Sequence, residues 1–165
     1  ESLLAATRKG AFDVAAVREA SVSINDDKVL QATGETVYCI SGSLIKSVSS
    51  SAVYYCGANG KRYVFPHDRV YKSWYADFSE VITISDEELA LIPLGGNVTY
   101  RPGVKMVKIQ TDPKVHAVDR GGTLRHVTSP EIAEALYGQN WNKNIDDVSD
   151  AFFVNYTIGQ PITSA

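Results

Sequence analysis

Residues 53–65, VYYCGANGKRYVF, and residues 115–127, VHAVDRGGTLRHV, read as one pattern written twice. In each, β-branched and aromatic residues flank Asn59-Gly60 or Gly121-Gly122, residue pairs that supply the positive φ a tight hairpin turn needs. Val53 matches Val115, Gly60 matches Gly122, Arg62 matches Arg125 and Val64 matches Val127, so that His116 and His126 stand where the first copy has Tyr54 and Tyr63. The match extends outward in both directions. Upstream, Val37, Gly42 and Lys46 meet Val98, Gly103 and Lys108; downstream, Trp74 meets Tyr137, Ser85-Asp86 meets Ser149-Asp150, Leu94-Gly95 meets Ile158-Gly159 and Val98 meets Ile162. From Val37 to Val64 the offset drifts only from about 61 to about 63, and self-similarity at a fixed period governs any fold reading.

Each unit has the same grammar. An apolar strand (Leu44 to Ser47; Met106 to Ile109) runs into a turn, Ser49-Ser50-Ser51 or Thr111-Asp112-Pro113, and then into the hairpin. Pro66-His67-Asp68 and Ser129-Pro130-Glu131 next open a helix, with Pro or a cap residue first and acidic residues in the first turn. A shorter helix follows from Ser85-Asp86-Glu87-Glu88 and again from Ser149-Asp150. The unit therefore reads strand, hairpin, helix, short helix, return strand. The fold class expected is α+β and β-rich, an internally duplicated unit packed as one pseudo-symmetric domain. Repeat 1 covers about 34–94 and repeat 2 about 95–160 of a duplicated region 34–165, because a unit of about 62 residues has a marginal core by itself.

The 165 residues carry 16 Lys+Arg against 19 Asp+Glu, a net charge of −3, with 44% hydrophobic residues. That composition suits a packed core, and without a basic block it lacks the electrostatic footprint of a nucleic-acid binder. The longest apolar runs fall far short of the roughly 20 residues that span a bilayer. Cys39 and Cys56 are the only cysteines. With no CxxC and no matching His spacing they make a poor zinc or redox motif. Two readings remain: two buried thiols, or a disulfide, which would imply an oxidising compartment. Ser51 to Cys56, SAVYYC, resembles one strand of an immunoglobulin variable domain, but the cysteine spacing and the missing intervening Trp argue against that fold.

Residues 1–33 lie outside the duplication. The chain opens Glu1-Ser2-Leu3-Leu4 with neither Met nor signal segment, as a processed mature form or an excised piece would. Phe12, Val14, Val17, Val22 and Ile24 make this arm apolar, with its best strand signal at Ser21 to Ile24. Such an arm either packs on its own domain or adds as a strand to the sheet edge of the next subunit, gaining affinity from main-chain hydrogen bonds. The second reading makes filaments.

Catalytic motifs are absent: no Gly-x-Ser-x-Gly, no phosphate-cradling loop, no His-Glu-x-x-His. Neither catalysis nor a bound metal or cofactor is expected. His116 and His126 can face one another across the second hairpin, but without a carboxylate at ligand spacing they read as half-buried packing residues. Asn140, Asn142, Asn144 and Asp146 alternate like the first ligands of a calcium loop; the Gly and Glu that loop requires are missing, so a solvated loop is expected. Eight aromatic residues crowd between Tyr54 and Phe78. Most serve a core, and the alternative is a glycan-binding face built from Tyr63, Arg62, Tyr71 and Trp74. Asn97-Val98-Thr99 and Asn155-Tyr156-Thr157 match the N-glycosylation triplet.

Asn59 to Pro66 (NGKRYVFP), Thr99 to Gly103 (TYRPG) and Lys114 to Val118 (KVHAV) resemble a domain that recurs in secreted and surface-layer-like bacterial proteins. The resemblance spans about residues 34–160. It implies a surface location and a non-catalytic role. The function expected is that of an extracellular, cell-surface structural subunit that assembles with copies of itself into a filament, pilus-like fibre or surface layer through its arm. The alternative is an adhesion module for a cell-surface glycan.

Overall fold

The computed structural model describes residues 39–165. The arm residues Phe12, Val14, Val17, Val22 and Ile24 lie outside them. Two compact units divide at Val98/Thr99. The first holds β1 (Leu44–Ser47), β2 (Tyr54–Cys56), β3 (Arg62–Val64), α1 (Asp68–Trp74), β4 (Val81–Ile84), α2 (Asp86–Ala90) and β5 (Leu94–Asn97). The second holds β6 (Met106–Ile109), β7 (Val115–Asp119), β8 (Thr123–His126), α3 (Pro130–Tyr137), β9 (Ile145–Val148), α4 (Asp150–Phe153) and β10 (Thr157–Ile158). The chain is thus α+β and β-rich.

Each unit is one five-stranded mixed sheet, ordered β4-β1-β2-β3-β5 in the first and β9-β6-β7-β8-β10 in the second. The directions agree as well. Three central strands form an antiparallel meander, and both outer strands run parallel to their neighbours. A parallel neighbour needs a crossover of a dozen or more residues. In the first unit the hairpin and α1 supply it between β1 and β4.

The sequence pattern foresaw the meander, the helices and the return strands but not β4 and β9. Asn140, Asn142, Asn144 and Asp146 read as a solvated loop. Instead Trp141–Lys143 form a 3₁₀ turn, and after Asn144 the four residues Ile145–Val148 pair with β6. The inner face of β9 carries Asp146 and Val148, both buried. A carboxylate at an inward position breaks the apolar alternation by which a strand is recognised.

The register also corrects the pairing read from residue identity. Cys56 faces Arg62 and Val118 faces Leu124, so the two hairpins have equal loops and the offset stays at 62 through them. Val64, not Tyr63, therefore occupies the place of His126. Arg62 and Arg125 fall on opposite faces of their sheets, since one residue of slip on a strand reverses the side chain.

Local chemistry explains the element ends. Ser85, Ser129 and Ser149 each accept a main-chain N–H with the side-chain hydroxyl oxygen at the start of α2, α3 and α4. Gly121 and Gly122 turn the second hairpin at φ 68° and 69°, the left-handed region that a side chain resists. In the first sheet α1 packs over the face bearing Phe65, whose ring meets Tyr71 edge-on at 5.1 Å. The opposite face holds Ile45, Cys39 and Cys56 with Leu89 and Ile92 from the α2 region. In the second, α3 brings Ala133 onto Met106, Ala117 and Val127.

Candidate functional site

Cys39 and Cys56 form the disulfide, with their Cα atoms 5.6 Å apart. Cys56 is fully buried beside Ile45, Leu89 and Ile92, and Tyr54 and Ile84 pack at the margin of this cluster. The bond ties the residue at which residues 1–38 join the described body to the central strand β2. At the matching places in the second unit stand Tyr100 and Val118.

Tyr100 does by polar bonding what the disulfide does covalently. It is 1% exposed; its hydroxyl donates to Asp146 Oδ2 at 3.0 Å and its main-chain N–H donates to the Tyr156 hydroxyl at 3.0 Å. Lys105 Nζ pairs with the other Asp146 oxygen at 3.2 Å. Each oxygen of the inward carboxylate therefore has a partner, as a buried charge requires. Burial pushes the Tyr156 phenol up to about 12. On the opposite face of the second sheet a second buried pair, Arg125 with Asp119 at 3.6 Å, is anchored by Arg125 Nε donating to the Gln160 carbonyl at 2.8 Å. Both are internal braces.

His116 and His126 face each other across β7 and β8 with ring centroids 5.8 Å apart. His116 is 5% exposed and its Nδ1 has no hydrogen-bond partner among the described residues. Burial, then the His126 charge, holds its imidazole below the usual histidine value. His126 is half-buried.

The four residues considered for glycan binding do not share an exposed platform. Tyr71 is 2% exposed, stacked on Phe78 at 4.4 Å and tilted against Tyr75. Tyr63 covers Gly95 and Gly57 so closely that a Cβ on Gly95 would lie 2.4 Å from its ring, and its hydroxyl accepts from Asn59 Nδ2 at 2.7 Å. Arg62 points to the other face, over the Tyr54 ring at 4.6 Å, with Nε donating to the Ile92 carbonyl. Trp74 is half-buried at the end of α1. The burial of Tyr75 is deep enough to push its phenol up to about 12.

Among the described residues no three His, Cys, Asp or Glu side chains converge on one point, and no helix is long and apolar enough to cross a membrane. The apolar side chains left in solvent include Ile82 on β4, Leu94 on β5 and Ile158 on β10, each on an outer strand. No protein-family model, curated protein or solved structure matches the chain.

Proposed function

We propose that this chain is an extracellular structural module that assembles with copies of itself at a cell surface, through strand addition by residues 1–33. The observation that carries the reading is the state of the outer strands. Among the described residues, β4 and β5 each pair on one side only, and at their centre or start Ile82 and Leu94 are 55% and 59% exposed. An unpaired edge bearing apolar side chains is a template for an added strand. The arm supplies apolar Phe12, Val14, Val17, Val22 and Ile24. The disulfide supports an oxidising location. It also suits a load-bearing connector, because tension entering at Cys39 passes directly to β2 and leaves β1, inside the closed loop, unstretched.

Duplication of one ancestral unit is part of the same proposal. Its support is the common strand order, and also a shared detail: Ser49 Oγ donates to Asp86 and Thr111 Oγ1 donates to Asp150, each fastening the turn after the first strand to the start of the short helix. The glycan-binding alternative has less support, since Tyr71 is enclosed and Arg62 and Tyr63 diverge.

The test is negative-stain electron microscopy of the full chain, of a chain lacking residues 1–33, and of Ile82→Lys. Fibres or lattices from the first alone are expected, with circular dichroism showing a folded α+β body in all three. Assembly by the truncated chain refutes the arm as connector, and monomers from the full chain refute the structural role.

A further inference from the structure

The first sheet has Tyr54 opposite Val64 and the second has His116 opposite His126 at the same place in the meander. An ordinary packing pair therefore satisfies this position, and the fold does not require imidazole there. Val127 N donates to Val115 O beside the histidine pair. The two histidines thus occupy the non-hydrogen-bonded site of the antiparallel ladder, where side chains approach most closely. The charged groups facing them are Asp112 and Lys114 from the turn before β7, and on the same sheet face Asp146 beyond Val107, already bound by Tyr100 and Lys105.

We propose that His116 and His126 are the protein ligands of a divalent transition-metal site for zinc, copper(II) or nickel, with water completing the coordination. Imidazole suits these ions, and one hairpin already holds the two rings side by side, so that little of the chain need be ordered on binding. The geometry agrees. With a metal–nitrogen bond of about 2.1 Å and about 1.1 Å from nitrogen to ring centre, two imidazoles on a tetrahedral ion have centroids about 5.2 Å apart. The 5.8 Å observed requires a closure of about 0.6 Å, within reach of small χ rotations. The buried His116 Nδ1 without a hydrogen-bond partner gives the second observation: either ring nitrogen serves as a ligand, and coordination supplies the contact it lacks. With no third side chain converging among the described residues, the site is open and exchangeable, unlike the closed four-ligand sites that hold structural zinc.

Isothermal titration of the chelator-stripped full chain with Zn2+ near neutral pH tests this, repeated on His126→Val and His116→Tyr. Those substitutions restore the residue types of the first unit, and Trp141 fluorescence unfolding verifies that each variant is folded. One ion per chain is expected, with at least a tenfold loss of affinity in each variant. With Cu2+, electron paramagnetic resonance should show coupling to two imidazole nitrogens in the unmodified chain and to one in either variant. Absence of Zn2+ binding up to about 1 mM overturns the proposal. Unchanged binding by both folded variants also overturns it, because the ion then sits elsewhere.

Discussion

Reduction of Cys39–Cys56 should unmask how little the first unit holds in reserve. A crosslink closing a loop with a sequence separation of 17 removes denatured-state entropy worth about 3 kcal/mol in the chain-entropy model. A core of this size rarely supplies more than about 3–5 kcal/mol. Losing the bond therefore takes this unit close to its unfolding threshold. The two tryptophans make the loss readable, since Trp74 lies in the first unit and Trp141 in the second. In a Trp141→Phe background, Cys39→Ala/Cys56→Ala should lower the urea midpoint reported by Trp74 by about 3 M, taking a slope near 1 kcal/mol/M for so small a unit. The melting temperature of that transition should fall by roughly 12–24 °C. In a Trp74→Phe background the Trp141 transition should move less, because its unit contains no cysteine. A change at Trp74 below about 1 kcal/mol refutes the reasoning: the disulfide would then be closing a loop that the denatured chain already keeps closed.

Three further outcomes follow from the packing. Gly95→Ala should destabilise the first unit because its Cβ displaces the Tyr63 ring; a double-mutant cycle with Tyr63→Ala should recover at least about 0.5 kcal/mol, and additivity would sink the explanation. Tyr100→Phe leaves Asp146 with Lys105 but without its hydroxyl donor, at a cost of about 1.5–3 kcal/mol for a hydrogen bond to a charged group, measurable by urea unfolding followed at Trp141. Tyr75 and Tyr156 have folded-state phenols raised to about 12. Their contribution is fully present below the unfolded value near 10 and is lost as pH rises from there through about 12. Absorbance titration at alkaline pH should show Tyr75 and Tyr156 ionising last, with burial also delaying Tyr55 and Tyr71, and stability should fall across that window; ionisation of all nine together near 10 would contradict the burial.

The features legible in the sequence are local. Gly121-Gly122 specifies a turn because its φ values are sterically closed to other residues. Ser85 and Ser129 specify helix starts because a hydroxyl two or three residues from a free N–H satisfies it whatever surrounds it. The β-branched and aromatic strands of the hairpins needed nothing further. Cys39 and Cys56 announced a choice, thiols or bond, and only the meander decided it by laying them 5.6 Å apart.

The remainder depended on contacts distant in the chain. Val81–Ile84 and Ile145–Val148 become strands because β1 and β6 offer them parallel ladders, and Asp146 is tolerated inside because Tyr100, 46 residues away, reaches it. Face assignment likewise rests on register, which aligned Val64 with His126 and set Arg62 and Arg125 on opposite sides. Sequence alone determined the turns and caps of this protein, since these answer to sterics and hydrogen bonds within a few residues. Tertiary structure decided which face each side chain meets and which strands stand at the edge, since those follow from long-range pairing whose entropy cost is recovered only when the whole sheet forms.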